Sequence, residues 1–334
     1  MRIRTLAAIA VLALGCSSAQ AQAQKLKFAV FEPPQTISGK MWTAWAEKVN
    51  KDGAGAIEIE IYPGGVLGRD PRNQLELLLN GVADIAWTLP FFTPGRFPDN
   101  AVTNLPLIIG NAREGSTAIW AMYEKGLLRG YDDFVPLGIF TAPSAILIST
   151  KPLPNLAALA GLKTSASTNL LQSVLRSLGA APVSGFNFNT AAEALARGSL
   201  EADLMNLSAS VSFKLFDVAK HALVMPVGGS TLMVAMNKAS YAKLSPAAKA
   251  AIDKNKGAPM VKTWHEALDS SEAEVRAKWR ADPARTYVEL SAADLAKAEA
   301  LLAPVVKEWE SANQNGAALV KALREEVAKV RAAR

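Results

Sequence analysis

Residues 144–150 read SAILIST, and the direction that stretch takes in the reading decides the fold. Ala145, Ile146, Leu147 and Ile148 follow one another with no polar interruption. A strand built from them hides both of its faces, as strands do when helices cover a sheet on both sides. Residues 57–65, IEIEIYPGG, behave differently: strict alternation marks a half-buried strand, closed by a Pro-Gly turn.

Working outward, strand and helix signals alternate. KLKFAVFEPP is a short strand stopped by Pro33-Pro34, and Met41, Trp42, Trp45 and Val49 then fall on one side of a helix. A helix over 73–79 ends at Gly81, and ADIAWTL (83–89) reads as a strand. FVPLGIF (134–140), GLKTSA, LEADLMN and LMVAMN (232–237) read as strands, with helices over 170–178 and 191–197 between them. This alternation predicts α/β layers with mainly parallel sheets. From Ser245 onward the pattern is almost wholly helical, apart from the break at Asp282-Pro283 and a brief strand, TYVEL; Ser291 is placed as a helix N-cap.

The first residues, MRIRTLAAIAVLALGCSSAQAQAQ, combine Arg2 and Arg4, an apolar run and small residues. They read as a secretory signal peptide, 1–23, cleaved after Ala21 or Ala23, with an apolar core too short to span a bilayer. Lipoprotein processing at Cys16 is the rival, but Ala13 stands where an aliphatic residue is usual. Cys16 is the only cysteine, so the mature chain has none and depends on a large core rather than disulfides. Removing Arg2 and Arg4 from 36 basic residues, against 30 acidic ones, leaves a net charge of +4. The basic residues are scattered, so nucleic acid is not expected as a partner.

Motifs for chemistry are few. His221 and His265 are the only histidines; HEALD (265–269) begins like a zinc-protease helix but has Asp269 in place of the second histidine. No G-x-S-x-G elbow or phosphate loop occurs. Neither a metal, nor a cofactor, nor catalysis is expected. Ligands of α/β sheets lie beyond the carboxyl ends of strands, which points to residues 31–33, 87–89, 140–145, 164–168 and 203–206.

The order and spacing of LKFAVFEPP, IEIEIYPGGVLGRD, NGVADIAW, STKPLPNLAALAGLK, LGAAPV, FNTAAEALARGSLEAD and AMNKASYAKLSPAAKAAI resemble the solute-binding subunits of tripartite ATP-independent periplasmic (TRAP) transporters, the DctP-like family. The resemblance implies an α/β, two-lobed periplasmic binding protein fold with a hinge and a helical C-terminal region. It divides the chain into lobe I (24–143 and 230–268) and lobe II (144–229 and 269–334). It implies a periplasmic, non-enzymatic protein that closes on a small organic solute and delivers it to small and large integral membrane proteins. A secreted enzyme on such a scaffold, and a solute-binding sensor subunit, are the rival classes.

The resemblance also implies the site. Family members carry an arginine two residues after GLK, whose planar fork grips a carboxylate. Here that residue is Ser165, and a second basic position falls at Ala145. The other pocket positions correspond to Phe31, Trp87, Leu89, Phe188 and Met205, while Thr168 and Asn206 complete the expected ligand-binding set. Two routes to binding remain open. The solute is neutral or largely apolar and held by burial against Phe31, Trp87 and Phe188. Alternatively, a carboxylate lies at the helix start near Asn169, met by Ser165, Ser167, Thr168 and backbone N–H groups. Arg69, Arg72 and Arg96 are candidates for a displaced cation.

Overall fold

The computed structural model describes residues 23–225 and 227–333; the expected leader and Cys16 lie outside them. Eleven strands occur among the described residues: β1 (Gln24–Ala29), β2 (Ile57–Tyr62), β3 (Ile85–Thr88), β4 (Phe134–Thr141), β5 (Ile146–Ser149), β6 (Lys163–Ser165), β7 (Ala181–Pro182), β8 (Ala202–Met205), β9 (His221–Val224), β10 (Thr231–Asn237) and β11 (Thr286–Glu289). The helices are α1 (Ile37–Asp52), α2 (Gln74–Leu79), α3 (Ala112–Glu124), α4 (Asn169–Ser177), α5 (Ala191–Ala196), α6 (Leu207–Ser212), α7 (Leu215–Val218), α8 (Lys238–Ala242), α9 (Pro246–Asn255), α10 (Ala258–Ala281), α11 (Ala292–Ala312) and α12 (Gly316–Ala332).

Two sheets result. The first runs β2-β1-β3-β10-β4 and the second β11-β9-β5-β8-β6-β7. The alternation in IEIEIY acts as expected: β2 pairs with β1 in parallel from Gln24↔Ile57 to Ala29↔Tyr62, and Ile57 and Ile59 point into the core. Thr36 caps α1 by accepting from the Gly39 N–H at 3.0 Å. The helix then buries Trp42, Trp45, Ala46 and Val49. Trp42 stacks on Trp264 of α10 with ring centroids 5.5 Å apart and planes 5° from parallel.

The sheets are mainly parallel, as read, with one reversed strand in each. β5 runs antiparallel to both β8 and β9, and β10 antiparallel to both β3 and β4. An apolar run records burial on both faces and carries no direction. Direction follows from the crossings. β4 leads into β5 through residues 142–145, and β9 into β10 through 225–230. A short crossing brings the chain into the next sheet from the side where neighbouring strands end, so the arriving strand runs against them. At the second crossing, the backbone is tight. Gly228 has φ +81°, and a Cβ there would stand 2.3 Å from the Thr103 carbonyl; one on Gly229 would stand 2.0 Å from the Ala142 carbonyl.

At the C-terminal end, α11 buries Ala298, Leu302 and Val305 against the second sheet's core, beside Leu171 and Leu175 of α4. Helix α12 turns back. Its Leu319, Val320, Leu323 and Val327 join Ile119 and Met122 of α3 in the first sheet's core. Within the stretch 269–334, read from the sequence as part of lobe II, α11 packs with the second sheet's core and α12 with the first sheet's. Helical spacing shows that a face is buried and not which neighbour buries it.

Candidate functional site

The carboxyl ends of strands from both sheets open onto one cavity of about 120 Å³. From the first sheet come Phe31 and Glu32, just past β1, and Trp87 and Leu89 at the end of β3. The start of α1 adds Ile37 and Ser38, and α10 adds Trp264 and Leu268. From the second sheet come Ala145 before β5 and Leu204, Met205 and Asn206 at the end of β8. Phe188 and Phe213 close that side.

Aromatic rings make up much of the wall. Phe31 lies parallel to Trp87, centroids 6.5 Å apart and planes at 4°. Trp87 packs on Trp264 at 5.1 Å. Phe188 spans the gap: it stacks on Phe213 at 5.3 Å and meets the edge of Phe91, on the first sheet's side, at 6.2 Å.

Seven of the nine expected ligand residues line this space: Phe31, Trp87, Leu89, Ala145, Phe188, Met205 and Asn206. Ser165 and Thr168 are not among the lining residues. Ser165 faces Asp203 across the β6–β8 pair and donates its hydroxyl to that carboxylate. The Thr168 hydroxyl accepts from the Leu171 N–H at 3.2 Å and caps α4. The hydroxyl-rich turn thus serves the protein's own carboxylate and helix end, and Ser167 alone of its four hydroxyl residues borders the cavity. Glu32 falls inside the expected segment 31–33 without being among the nine named residues, whereas Phe91, Phe213, Trp264 and Leu268 were missed. These four carry no sequence signal that separates them from core residues, while Glu32 stands out as an acid between a buried strand and Pro33-Pro34.

Among the described lining residues there is no Lys, Arg or His. None of the candidate displaced cations lines the cavity; Arg96 pairs with Asp133 and Arg72 with Asp70. The one ionisable lining group is Glu32. Its Oε2 accepts from the Thr36 hydroxyl at 3.2 Å, and its Oε1 meets Trp87 Nε1 at 3.5 Å. Burial raises its pKa, opposed by hydrogen bonds from Ser38, Trp87 and Thr36. On the facing wall, Asn206 is held by its Oδ1, which accepts from the Ala209 N–H at 2.8 Å and the Ser208 hydroxyl at 3.0 Å. That grip leaves its Nδ2 with no hydrogen-bond partner among the described residues. The site can therefore enclose a flat apolar body and offer it an acceptor on one wall and a neutral donor on the other.

Such a cavity, set between two sheets whose strands end on it, is the geometry of a solute trap. Residues 28–312 match the family described as bacterial extracellular solute-binding protein, family 7 (DctP). The chain belongs to that family. Among solved structures, this DctP-family protein is similar to a marine metagenome TRAP solute binding protein from an unidentified microbe, specific for aromatic acid ligands and complexed with 3-hydroxybenzoate. The two are 29% identical with a TM-score of 0.87, over 93% of this chain and 99% of that one. It is also similar to a TRAP solute binding protein of Rhodoferax ferrireducens complexed with copurified benzoate: 28% identity, TM-score 0.85, 93% and 99% covered. A curated relative is the outer membrane transporter protein TsaT of Comamonas testosteroni, 27% identical over 54% of each chain. The match spans about half of that relative's length.

Proposed function

We propose that the chain is the periplasmic receptor of a TRAP-type transporter, which encloses a solute with a single aromatic ring and hands it to small and large integral membrane subunits. The observation that carries this reading is the ring-walled cavity without a cation. Its 120 Å³ is comparable to the apolar cavity of roughly 150 Å³ that takes up benzene in another protein core. Burial at ~25 cal/mol per Å² against Phe31, Trp87 and Phe188 supplies affinity for a ring, and ring–ring contact adds about 0.5–1.5 kcal/mol per pair. A small dicarboxylate has no such surface to bury and would meet no guanidinium. The aromatic ligands of the two structural relatives support the same reading.

A thermal-shift series tests it, because a ligand that binds only the native form raises the melting point. Benzoate and 3-hydroxybenzoate should raise it, and succinate and glucuronate should not. A shift with succinate alone would defeat the reading. The binding-protein role further requires that the bound aromatic compound be recovered chemically unchanged after prolonged incubation.

A further inference from the structure

Glu32 stands on one wall of the cavity as its only ionisable group among the described lining residues, and it forms no ion pair among those residues. Capping does not account for it, since the N-cap of α1 is already supplied by Thr36, which accepts from the Gly39 N–H. The Oε2 atom takes the Thr36 hydroxyl at 3.2 Å. The carboxylate further takes hydrogen bonds from Ser38 and from the Trp87 indole N–H, which meets Oε1 at 3.5 Å, the outer limit of a hydrogen bond, so three donors meet a group able to accept about four. An acceptor oxygen with spare capacity therefore borders an apolar cavity. No neutralising cation lies on that wall.

This arrangement reads the solute's substituents. A bare carboxylate brought beside Glu32 would set two negative charges together in a poorly solvated space, which is strongly unfavourable. An O–H or N–H group there would donate to Oε1, a bond strengthened by the acceptor's charge. The opposite wall offers the reverse polarity through Asn206 Nδ2.

Building on the reading of the cavity as a ring site, we propose that Glu32 is its specificity-determining residue. It selects solutes whose ring carries a hydrogen-bond donor, such as a hydroxyl. It also turns any acidic substituent of the same ring toward Asn206 and the second sheet.

Calorimetric titration of the full mature chain with benzoate and 3-hydroxybenzoate, which differ by one hydroxyl, tests this. Wild-type protein should favour 3-hydroxybenzoate by roughly tenfold or more, the range of a hydrogen bond to a charged group. Glu32→Leu should bring the ratio close to one, with a cooperative melting transition reporting separately that the variant is folded. Glu32→Gln, which keeps the shape and a neutral acceptor, should fall between. An unchanged ratio in both variants, or a wild-type preference for plain benzoate, overturns the proposal and leaves the aromatic reading standing. Binding of neither compound by wild-type protein overturns the aromatic reading itself, and the proposal with it.

Discussion

Asp269 and Glu272, three residues apart on α10, each place a carboxylate on the first turn of a different helix. Asp269 accepts from the Ala112 and Arg113 N–H groups of α3, at 2.9 and 3.1 Å. Glu272 accepts from the Leu207 and Ser208 N–H groups of α6, at 3.3 and 2.6 Å, and from the Ser208 hydroxyl at 2.7 Å. Helix α3 packs on the first sheet and α6 belongs to the second, so one helix pins a helix of each. Replacing Glu272 by Ala leaves the Leu207 and Ser208 N–H groups without an acceptor, while the Ser208 hydroxyl keeps Asn206 Oδ1, and should destabilise the fold by about 1–3 kcal/mol. Solute affinity should fall too, because α6 carries Ala209 and Ser212 of the cavity. Urea unfolding and ligand titration read the two effects separately.

Buried Asp203 should govern part of the pH dependence of stability. Desolvation raises its pKa from the ordinary 3.8 to about 6, against the opposing Ser165 hydrogen bond. The folded state therefore holds this proton more tightly than the unfolded chain. Its contribution is full below pH about 4 and is lost as pH rises through about 6, an effect on the order of 3 kcal/mol. Asp203→Asn keeps an acceptor for Ser165. It should flatten the decline in melting temperature between these values and leave the variant more stable than wild type at pH 7.5.

Phe188 and Trp87 both line the cavity but should fail differently when cut to Ala. Phe188 is only partly buried and its ring partners are at the cleft, so Phe188→Ala should weaken binding of a ring solute by about 10- to 100-fold with little change in melting temperature. Trp87 is 1% exposed and packs on Trp42, Phe140 and Trp264. Trp87→Ala should cost about 3–5 kcal/mol of stability, visible in the urea midpoint before any ligand is added.

Gly228 should tolerate no side chain. Its φ of +81° disfavours an L residue, and a Cβ would press on the Thr103 carbonyl 2.3 Å away. The carbonyl of Gly228 also accepts from the Ala145 N–H at 3.0 Å, which ties the two crossings together. Gly228→Ala should destabilise the protein by about 3 kcal/mol or more, measured by denaturant unfolding.

Local patterns were legible in the sequence where one face meets water. The alternation of IEIEIY, the Trp42–Trp45 stripe, and the Ser291 cap, which accepts from the Asp294 N–H at 3.1 Å, all stand as read. SAILIST was correctly read as buried, yet its antiparallel pairing depends on a crossing that no local pattern encodes. Seven expected residues do border the cavity, since strand ends could be located. Of the GLKTSASTN hydroxyls, Ser167 borders the cavity, while Ser165 bonds Asp203, a partner that becomes visible only when strand β8 is set beside β6. HEALD reads as an ordinary helix segment with an incomplete zinc motif. The task of Asp269 lies on a helix more than 150 positions earlier, as shown by its bond to Ala112.

The interior position of β10, between β3 and β4, also bears on biogenesis. Until residue 237 has been made, β3 and β4 have no strand between them, so an N-terminal fragment cannot assemble the first layer by itself. Pairings this distant along the chain make folding slow. A nascent polypeptide that stays loose until nearly three-quarters of it exists is well suited to threading across a membrane before it folds.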